Sequence, residues 1–189
     1  MIADLNFALF DTAIGCCGIV WSARGVAGVQ LPEKDIAATR ARLRRRHPQA
    51  KETVPPADVQ RAVDRIMRLL AGERSDLTGV TVDDTSIPAF NRRVYVIARA
   101  IPPGETKTYG EIAEQLGDKT LAREVGQAMG ENPTPLIVPC HRVLAANGKS
   151  GGFSGAGGVL TKLRLLSIEG AQPGGPTLFE KLPLAARPR

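Results

Sequence analysis

The sequence predicts an α+β protein: a small N-terminal α/β domain over residues 1–85, a mainly helical domain over 86–172, and a C-terminal tail over 173–189. Two observations carry this. The first thirty positions hold three short apolar runs separated by turn residues, the pattern of strands. From Pro88 onward the apolar spacing becomes i, i+4, i+7, i+8, the pattern of amphipathic helices.

The strands come first. Residues 5–10, 18–22 and 26–31 are the three runs, and the last two are joined across Ala23-Arg24-Gly25, a tight turn with glycine where positive φ is expected. Pro32 opens a helix predicted to run to about His47, ending in Arg42, Arg44, Arg45 and Arg46, cations that complement the helix dipole. Residues 51–56 are polar and proline-rich, a loop. A second helix over 57–71 aligns Val59, Val63, Ile66, Met67 and Leu70 and stops at Gly72. Residues 77–82 alternate like a further strand, and 83–87 read as the linker out of this unit.

Ser86 and Pro88 start the next helix, whose apolar positions are Phe90, Val94, Ile97, Ala98 and Ile101. Thr108 and Glu111 have the spacing of a capping box, followed by Tyr109, Ile112, Ala113 and Leu116 on one face. Another helix is expected from Thr120 to Met129. Two short helices joined through Gly117 form either a helix-turn-helix or an ordinary αα-hairpin. On the second, Ala122 and Gly126 lie four apart with Arg123 alongside, small side chains that admit close approach of another surface or tight packing on a neighbouring helix. A last helix is expected over 159–168, with Leu160, Leu163 and Leu166 among its apolar positions.

Composition narrows the function classes. No apolar run is long enough to span a bilayer, and the first residues lack the basic-then-apolar order of a secretory signal. Three cysteines, two of them adjacent (Cys16, Cys17), make no disulfide framework, so a reducing cytoplasm is expected. Adjacent strand cysteines point to opposite faces, and no Cys-x-x-Cys or His-x-x-x-His spacing supports a metal site. No glycine fingerprint for a nucleotide follows a strand; no cofactor is expected. The net charge of +6 is unevenly spread: residues 1–90 carry 12 basic and 11 acidic side chains, residues 91–189 carry 13 and 8. The excess falls in the helical half, where an anionic polymer would use it.

That half contains Pro139-Cys140-His141-Arg142-Val143, one of three cysteines directly beside one of two histidines. Taken alone, the pair reads first as a buried structural cysteine. A thiol beside a base can equally become a nucleophilic thiolate.

The wider context decides between these readings. Gly104-Glu105-Thr106-Lys107-Thr108-Tyr109-Gly110-Glu111-Ile112-Ala113, then Gly126-Gln127-Ala128-Met129 with Asn132-Pro133, then the Cys140 pentapeptide, in that order, resemble the O6-alkylguanine-DNA alkyltransferases over about residues 88–170. The resemblance implies a ribonuclease-H-like N-terminal domain and a winged-helix-like C-terminal one. It implies irreversible, single-turnover transfer of an alkyl group from O6 of guanine, and from O4 of thymine, to Cys140. By the same resemblance His141 is the base acting through a water, Glu169 orients it, and Asn132 braces the turn. Tyr109 and Arg123 are similar to the pair that rotates the target phosphate and fills the gap left by the flipped base. Val143 (through its carbonyl), Phe153 and Ser154 correspond to the base pocket. Ala122 and Gly126 match the helix that enters the minor groove of double-stranded DNA. A monomer without cofactor or metal is expected.

Two departures stand out. Glu124 occupies a position that is small and neutral in most relatives, and Phe153 one that is tyrosine in several. The sequence is also compatible with two other classes: a non-catalytic lesion-binding module, though relatives of that kind lack the cysteine, and a Cys-His hydrolase acting without DNA.

Overall fold

The computed structural model describes residues 4–146 and 150–171. The expected tail over 173–189 lies outside the described residues.

The N-terminal unit is a four-stranded sheet in the order β3-β2-β1-β4, with two helices. Strands β1 (Asn6–Thr12), β2 (Gly15–Ser22) and β3 (Gly25–Gln30) form an antiparallel meander. Gly25 turns the second hairpin at φ +136, and a Cβ there would lie 2.6 Å from the Thr81 carbonyl oxygen, so both conformation and space demand glycine. The adjacent cysteines divide between faces as a pleat requires: Cys17 is buried and Cys16 partly exposed.

Helix α1 (Ile36–Arg46) begins later than Pro32 suggests, because Asp35 is the N-cap and accepts from the Ala38 N–H. Residues 51–56, expected to be loop throughout, open with a two-residue edge strand, β4 (Lys51–Glu52), parallel to β1. Helix α2 (Ala57–Leu70) buries Val59, Ala62, Val63, Ile66, Leu69 and Leu70, whereas Met67 falls on the rim of that face at 40% exposure.

The strand expected over 77–82 does not form. Only Val82 bridges, to Val26. Backbone carbonyls of this stretch are satisfied by a side chain in place of a ladder: Arg99 donates to the Leu77, Thr78 and Val80 oxygens. Alternating hydrophobicity was present, but the turn at Leu77–Val80 (Val80 N–H to Leu77 O, 3.1 Å) took the backbone out of extension.

The helical half comprises α3 (Ala89–Arg99), α4 (Tyr109–Gln115), α5 (Ala122–Gly130) and α6 (Gly158–Ile168). The capping box forms as the spacing predicts: Thr108 Oγ accepts from the Glu111 N–H, and the Glu111 carboxylate accepts from the Thr108 N–H at 2.6 Å. A 3-10 turn over Lys119–Leu121, capped by Asp118, precedes α5, so the second helix starts at Ala122 and not Thr120. Helix α3 is tied to α5 by polar contacts: Tyr95 Oη donates to the Ala128 carbonyl, and Asn91 donates to Glu131. In α6 the phase differs from expectation. Leu160 is 70% exposed, and the buried face is Lys162, Leu165 and Leu166. A short parallel pair, β5 (Lys107–Thr108) with β6 (Val143–Leu144), closes this half.

The observed architecture is mixed α+β. The two larger apolar cores among the described residues lie between the sheet and α2 and among α3, α4 and α5, with smaller clusters around Leu43 and Leu166. The first also takes in Leu136, Ile137 and Leu165, contributed by the chain that surrounds Cys140. Among the described residues no helix is long and apolar enough to cross a membrane.

Where the sheet leaves for α3, the Asp83 carboxylate is buried and accepts from Ser22 Oγ (2.5 Å), Thr85 Oγ (2.6 Å) and Arg24 Nε (3.2 Å). Burial would raise its pKa, but these donors outweigh burial and hold it well below the usual carboxylate range. The folded state therefore binds fewer protons than the unfolded chain near pH 4, and its stabilisation, present above that pH, is lost as pH falls through the folded pKa. Asp83→Asn should cost about 1–3 kcal/mol at pH 7 by leaving Ser22 and Arg24 imperfectly paired. Urea denaturation at pH 7 and pH 3 should show the difference from the parent shrinking at the lower pH.

Candidate active site

Cys140 is delivered by an irregular segment, 131–142, that is tightly self-bonded. Asn132 organises it. Its Oδ1 accepts from the Thr134 N–H (3.0 Å), and its Nδ2 donates to the Val138 carbonyl (2.8 Å). The same carbonyl accepts from the Cys140 N–H at 2.8 Å, with Pro139 at φ −81, ψ 67 between them, an inverse γ-turn. Leu136, buried, holds φ +75, a left-handed conformation that costs a non-glycine residue about 1–2 kcal/mol. Burying Leu136 and Ile137 in the sheet core offsets that cost. From the sheet side, the Val29 N–H of β3 donates to the Pro133 carbonyl at 2.9 Å. A 3-10 turn then carries Cys140, His141 and Arg142, all buried.

Behind the cysteine lies a buried charge cluster. His141 Nε2 is 2.9 Å from Glu169 Oε1. Arg142 grips the same carboxylate with two prongs, Nη2 to Oε1 at 2.8 Å and Nε to Oε2 at 2.9 Å, while its Nη1 donates to the Ile101 carbonyl. Both Glu169 and His141 side chains are almost wholly buried, at 2% and 1% exposure. Burial alone would raise the Glu169 pKa, yet the His141 and Arg142 donors hold it at about 2, so it is ionised. Burial lowers His141 against the pull of Glu169 and keeps its imidazole neutral. A neutral ring that donates from Nε2 to Glu169 leaves Nδ1 as an acceptor. Among the described residues that buried Nδ1 has no hydrogen-bond partner.

Burial pushes the Cys140 thiol pKa up. Opposing it are the Asn132 side chain, the Lys162 charge and the Cys140 and His141 backbone N–H groups. Lys162 is buried, donates to the Val143 carbonyl and lies 5.8 Å from the Tyr109 ring centroid. Burial brings its own pKa down to about 8.

Two cavities meet on Cys140. One, of about 470 Å³, is lined by Tyr109, Gly126, Met129, Phe153 and Ser154 as well as the cysteine. Tyr109 opens α4, and burial raises its pKa, keeping the phenol neutral. Gly151 crosses directly over it: at φ +64, a Cβ on residue 151 would lie 2.9 Å from the Tyr109 hydroxyl. Gly126 faces the Tyr109 ring with room for a methyl group at ordinary contact, so it is not demanded by internal packing. The second cavity, of about 420 Å³, shares Cys140, Phe153 and Ser154 but is bounded on its far side by α1.

Of the residues singled out from sequence, Cys140, Tyr109, Gly126, Phe153 and Ser154 share the first cavity. His141, Glu169 and Asn132 support Cys140 from behind, and Val143 adjoins Lys162. Arg123 and Glu124 are exposed in the first turn of α5, with Ala122 half-buried before them, outside the cavity wall.

Sequence reasoning missed two residues, Arg142 and Lys162. Arg142 passed as part of a motif string. Lys162 had a readable signal: with Leu165, Leu166 and Glu169 it lies at i, i+3, i+4, i+7, so two charges share an apolar stripe.

Known proteins align with this arrangement. Residues 89–171, which hold Tyr109, Cys140, His141, Arg142, Lys162 and Glu169, match the family model for the 6-O-methylguanine DNA methyltransferase DNA-binding domain. A methylated-DNA–protein-cysteine methyltransferase of Mycobacterium bovis is 43% identical over 130 residues, 68% of this chain and 76% of the relative. One from Methanothermobacter thermautotrophicus is 33% identical over 153 residues, 81% and 78% of the two chains. Among solved structures, Mycobacterium tuberculosis OGT in complex with DNA superposes with a TM-score of 0.70 at 33% identity, covering 87% of this chain and 92% of that one. The O6-methylguanine-DNA methyltransferase of Pyrococcus kodakaraensis gives 0.68 at 26% identity, covering 87% and 99%. With likeness extending through the sheet as well as the Cys140 half, this chain belongs to the methylated-DNA–protein-cysteine methyltransferase family.

Proposed function

We propose that this protein repairs alkylated DNA by direct reversal, taking the alkyl group from O6 of guanine, and from O4 of thymine, onto Cys140 in a single turnover. The observation that carries the reading is the meeting of a buried Cys-His-Glu set with a cavity walled by the first residue of a helix pair.

The chemistry follows from the geometry. His141 Nδ1 takes the thiol proton, relayed by a water, and Glu169 stabilises the imidazolium that forms. The thiolate sulfur attacks the saturated carbon; an S–C bond forms and the C–O6 bond breaks, its electron pair leaving with the base. Tyr109, neutral through burial, donates a hydrogen bond to the departing base, and the proton taken up by His141 passes on to that base, so thiol and lesion together give thioether and neutral base. Val143 offers its carbonyl to the base while Lys162 orients that carbonyl, and Phe153 and Ser154 form the opposite wall. The product thioether has no good leaving group, so one chain repairs one lesion.

A duplex base must leave the stack to reach a buried sulfur, at a cost of a few kcal/mol. Helices α4 and α5 act here as a helix-turn-helix of a winged-helix-like domain, with α5 entering the minor groove over Ala122 and Gly126. Arg123 fills the gap left by the everted base, and Tyr109 turns its phosphate. Glu124, exposed beside Arg123, weakens that binding by facing the groove's negative potential. The N-terminal unit, read as ribonuclease-H-like, supports the segment that carries Cys140. The protein works as a cytoplasmic monomer without cofactor or metal.

Incubation with an O6-methylguanine duplex should add one methyl mass to the peptide containing Cys140, never more than one per chain. Turnover beyond one, or methyl on another residue, would contradict the reading. Cys140→Ala should abolish transfer and leave duplex binding within about threefold of the parent.

Glu169→Gln separates positioning from stability. It leaves Arg142 without its counter-charge, which should lower unfolding free energy by about 3–5 kcal/mol. It should also slow transfer by about 10²-fold or more by losing support for the imidazolium. Arg142→Met should destabilise comparably with a smaller effect on rate. Equal rate loss in the two variants would show that the cluster acts through folding alone.

A further inference from the structure

The second cavity on Cys140 is not used by the reaction as described, and its charge is unusual. Helix α1 presents Arg42, Arg45 and Arg46, at i, i+3 and i+4, to the same 420 Å³ space that ends on the nucleophile. Cations in the last turn of a helix suit its dipole, but that does not explain why two of the three have no carboxylate partner among the described residues. Arg40 and Arg44, on another side of the helix, both pair with Glu52, at 3.1 and 3.4 Å. Arg42 lies 3.5 Å from Glu33. Arg45 and Arg46 make no ion pair among the described residues. The one carboxylate lining the cavity is Glu131, whose oxygens are engaged by Asn91 (2.9 Å) and Gln127 (3.1 Å).

The wall between the two cavities is formed by Phe153 and Ser154, with Cys140 open to both. Pro135 and Leu31 add apolar surface on the second side. Gly155 keeps that side open: a Cβ there would lie 2.5 Å from the Phe153 ring and 3.1 Å from Leu31. A base held in the first cavity presents its alkyl carbon to the sulfur, and any longer chain on that carbon has the second cavity to enter. There it meets apolar walls first and guanidinium groups at the far end.

We propose that this second cavity is a specificity subsite for O6-alkyl groups ending in a carboxylate, with Arg45 and Arg46 as the residues that recognise the acid. The proposal rests on the transfer to Cys140 put forward above. The reaction is unchanged: the S–C bond forms at the methylene attached to O6, the C–O6 bond breaks, the base leaves with the thiol's proton, and the carboxylate takes no part in bonding changes. Arg45 and Arg46 are exposed where they line this space, and each guanidinium can offer a carboxylate two parallel N–H donors. The sources of such adducts are alkylating agents that themselves carry an acid group.

The test compares three duplexes of one sequence in single-turnover transfer: O6-methylguanine, O6-(ω-carboxybutyl)guanine and its neutral primary amide. The parent protein should transfer the acid about tenfold faster than the amide, with the advantage shrinking as salt rises. In the double variant Arg45→Gln, Arg46→Gln the acid and amide rates should converge while methyl transfer stays unchanged. Equal acid and amide rates in the parent would overturn the proposal. So would a variant that slows all three substrates alike, because the arginines would then be serving the DNA backbone. Failure of the parent to transfer even methyl would instead count against the Cys140 reading itself.

Discussion

A carboxylate removed from water must be paid for by its neighbours, and the site depends on how Glu169 is compensated. Arg142 covers both of its oxygens and anchors its own remaining donor on the Ile101 carbonyl. His141 shares one of those oxygens. The cluster joins three stretches far apart in sequence: the end of α3, the turn that bears Cys140, and the residue after α6. Removing any one charge strands the others in a dry interior, where an unpaired ion costs several kcal/mol. The same arrangement holds the His141 ring in one orientation and one tautomer. Structural stability and a directed imidazole are thus consequences of a single ion pair.

The segment before the cysteine supplies the second constraint. It has almost no regular structure, yet Asn132 replaces a ladder by bonding both forward and across the loop, and the γ-turn at Pro139 aims the following N–H groups. Leu136 holds a left-handed backbone because its side chain is needed in the sheet core. The N-terminal unit therefore contributes to the first cavity without placing a side chain in it. Through Val29, and through the core that includes Leu136, Ile137 and Leu165, it fixes the height of the loop on which the sulfur sits.

Cys140 stands between two different electrostatic environments. Toward Tyr109 and Gly126 the surface is small and mainly apolar; toward α1 it is cationic. Lys162, buried under Tyr109 and bonded to the Val143 carbonyl, adds positive potential from below. A thiol in apolar surroundings resists ionisation, and the Lys162 charge with the Cys140 and His141 N–H groups works against that resistance. The result is a nucleophile that is shielded from bulk water and still electrostatically supported.

Much of this was legible in the chain itself, where the determinants are local. The helix spacing after Pro88, the Thr108–Glu111 capping box and the hairpin at Gly25 each depend on residues within a few positions of one another, and each formed where expected. The Cys140 pentapeptide, together with the motifs before it, was enough to indicate the family and to nominate the residues now found around one cavity. What depended on distant partners was not legible. Residues 77–82 alternate like a strand, but only Thr81–Asp83 reach the edge of β3, while the turn at Leu77–Val80 hands the earlier carbonyls to Arg99. The phase of α6 was set by Glu169 and Lys162 reaching inward to Arg142 and Val143, which turned Leu160 outward against its hydrophobicity. Arginines at the end of α1 read as dipole partners until folding set them over the second cavity. Propensity and spacing act through a few residues of backbone; charge compensation and cavity shape exist only once the chain has brought its remote parts together.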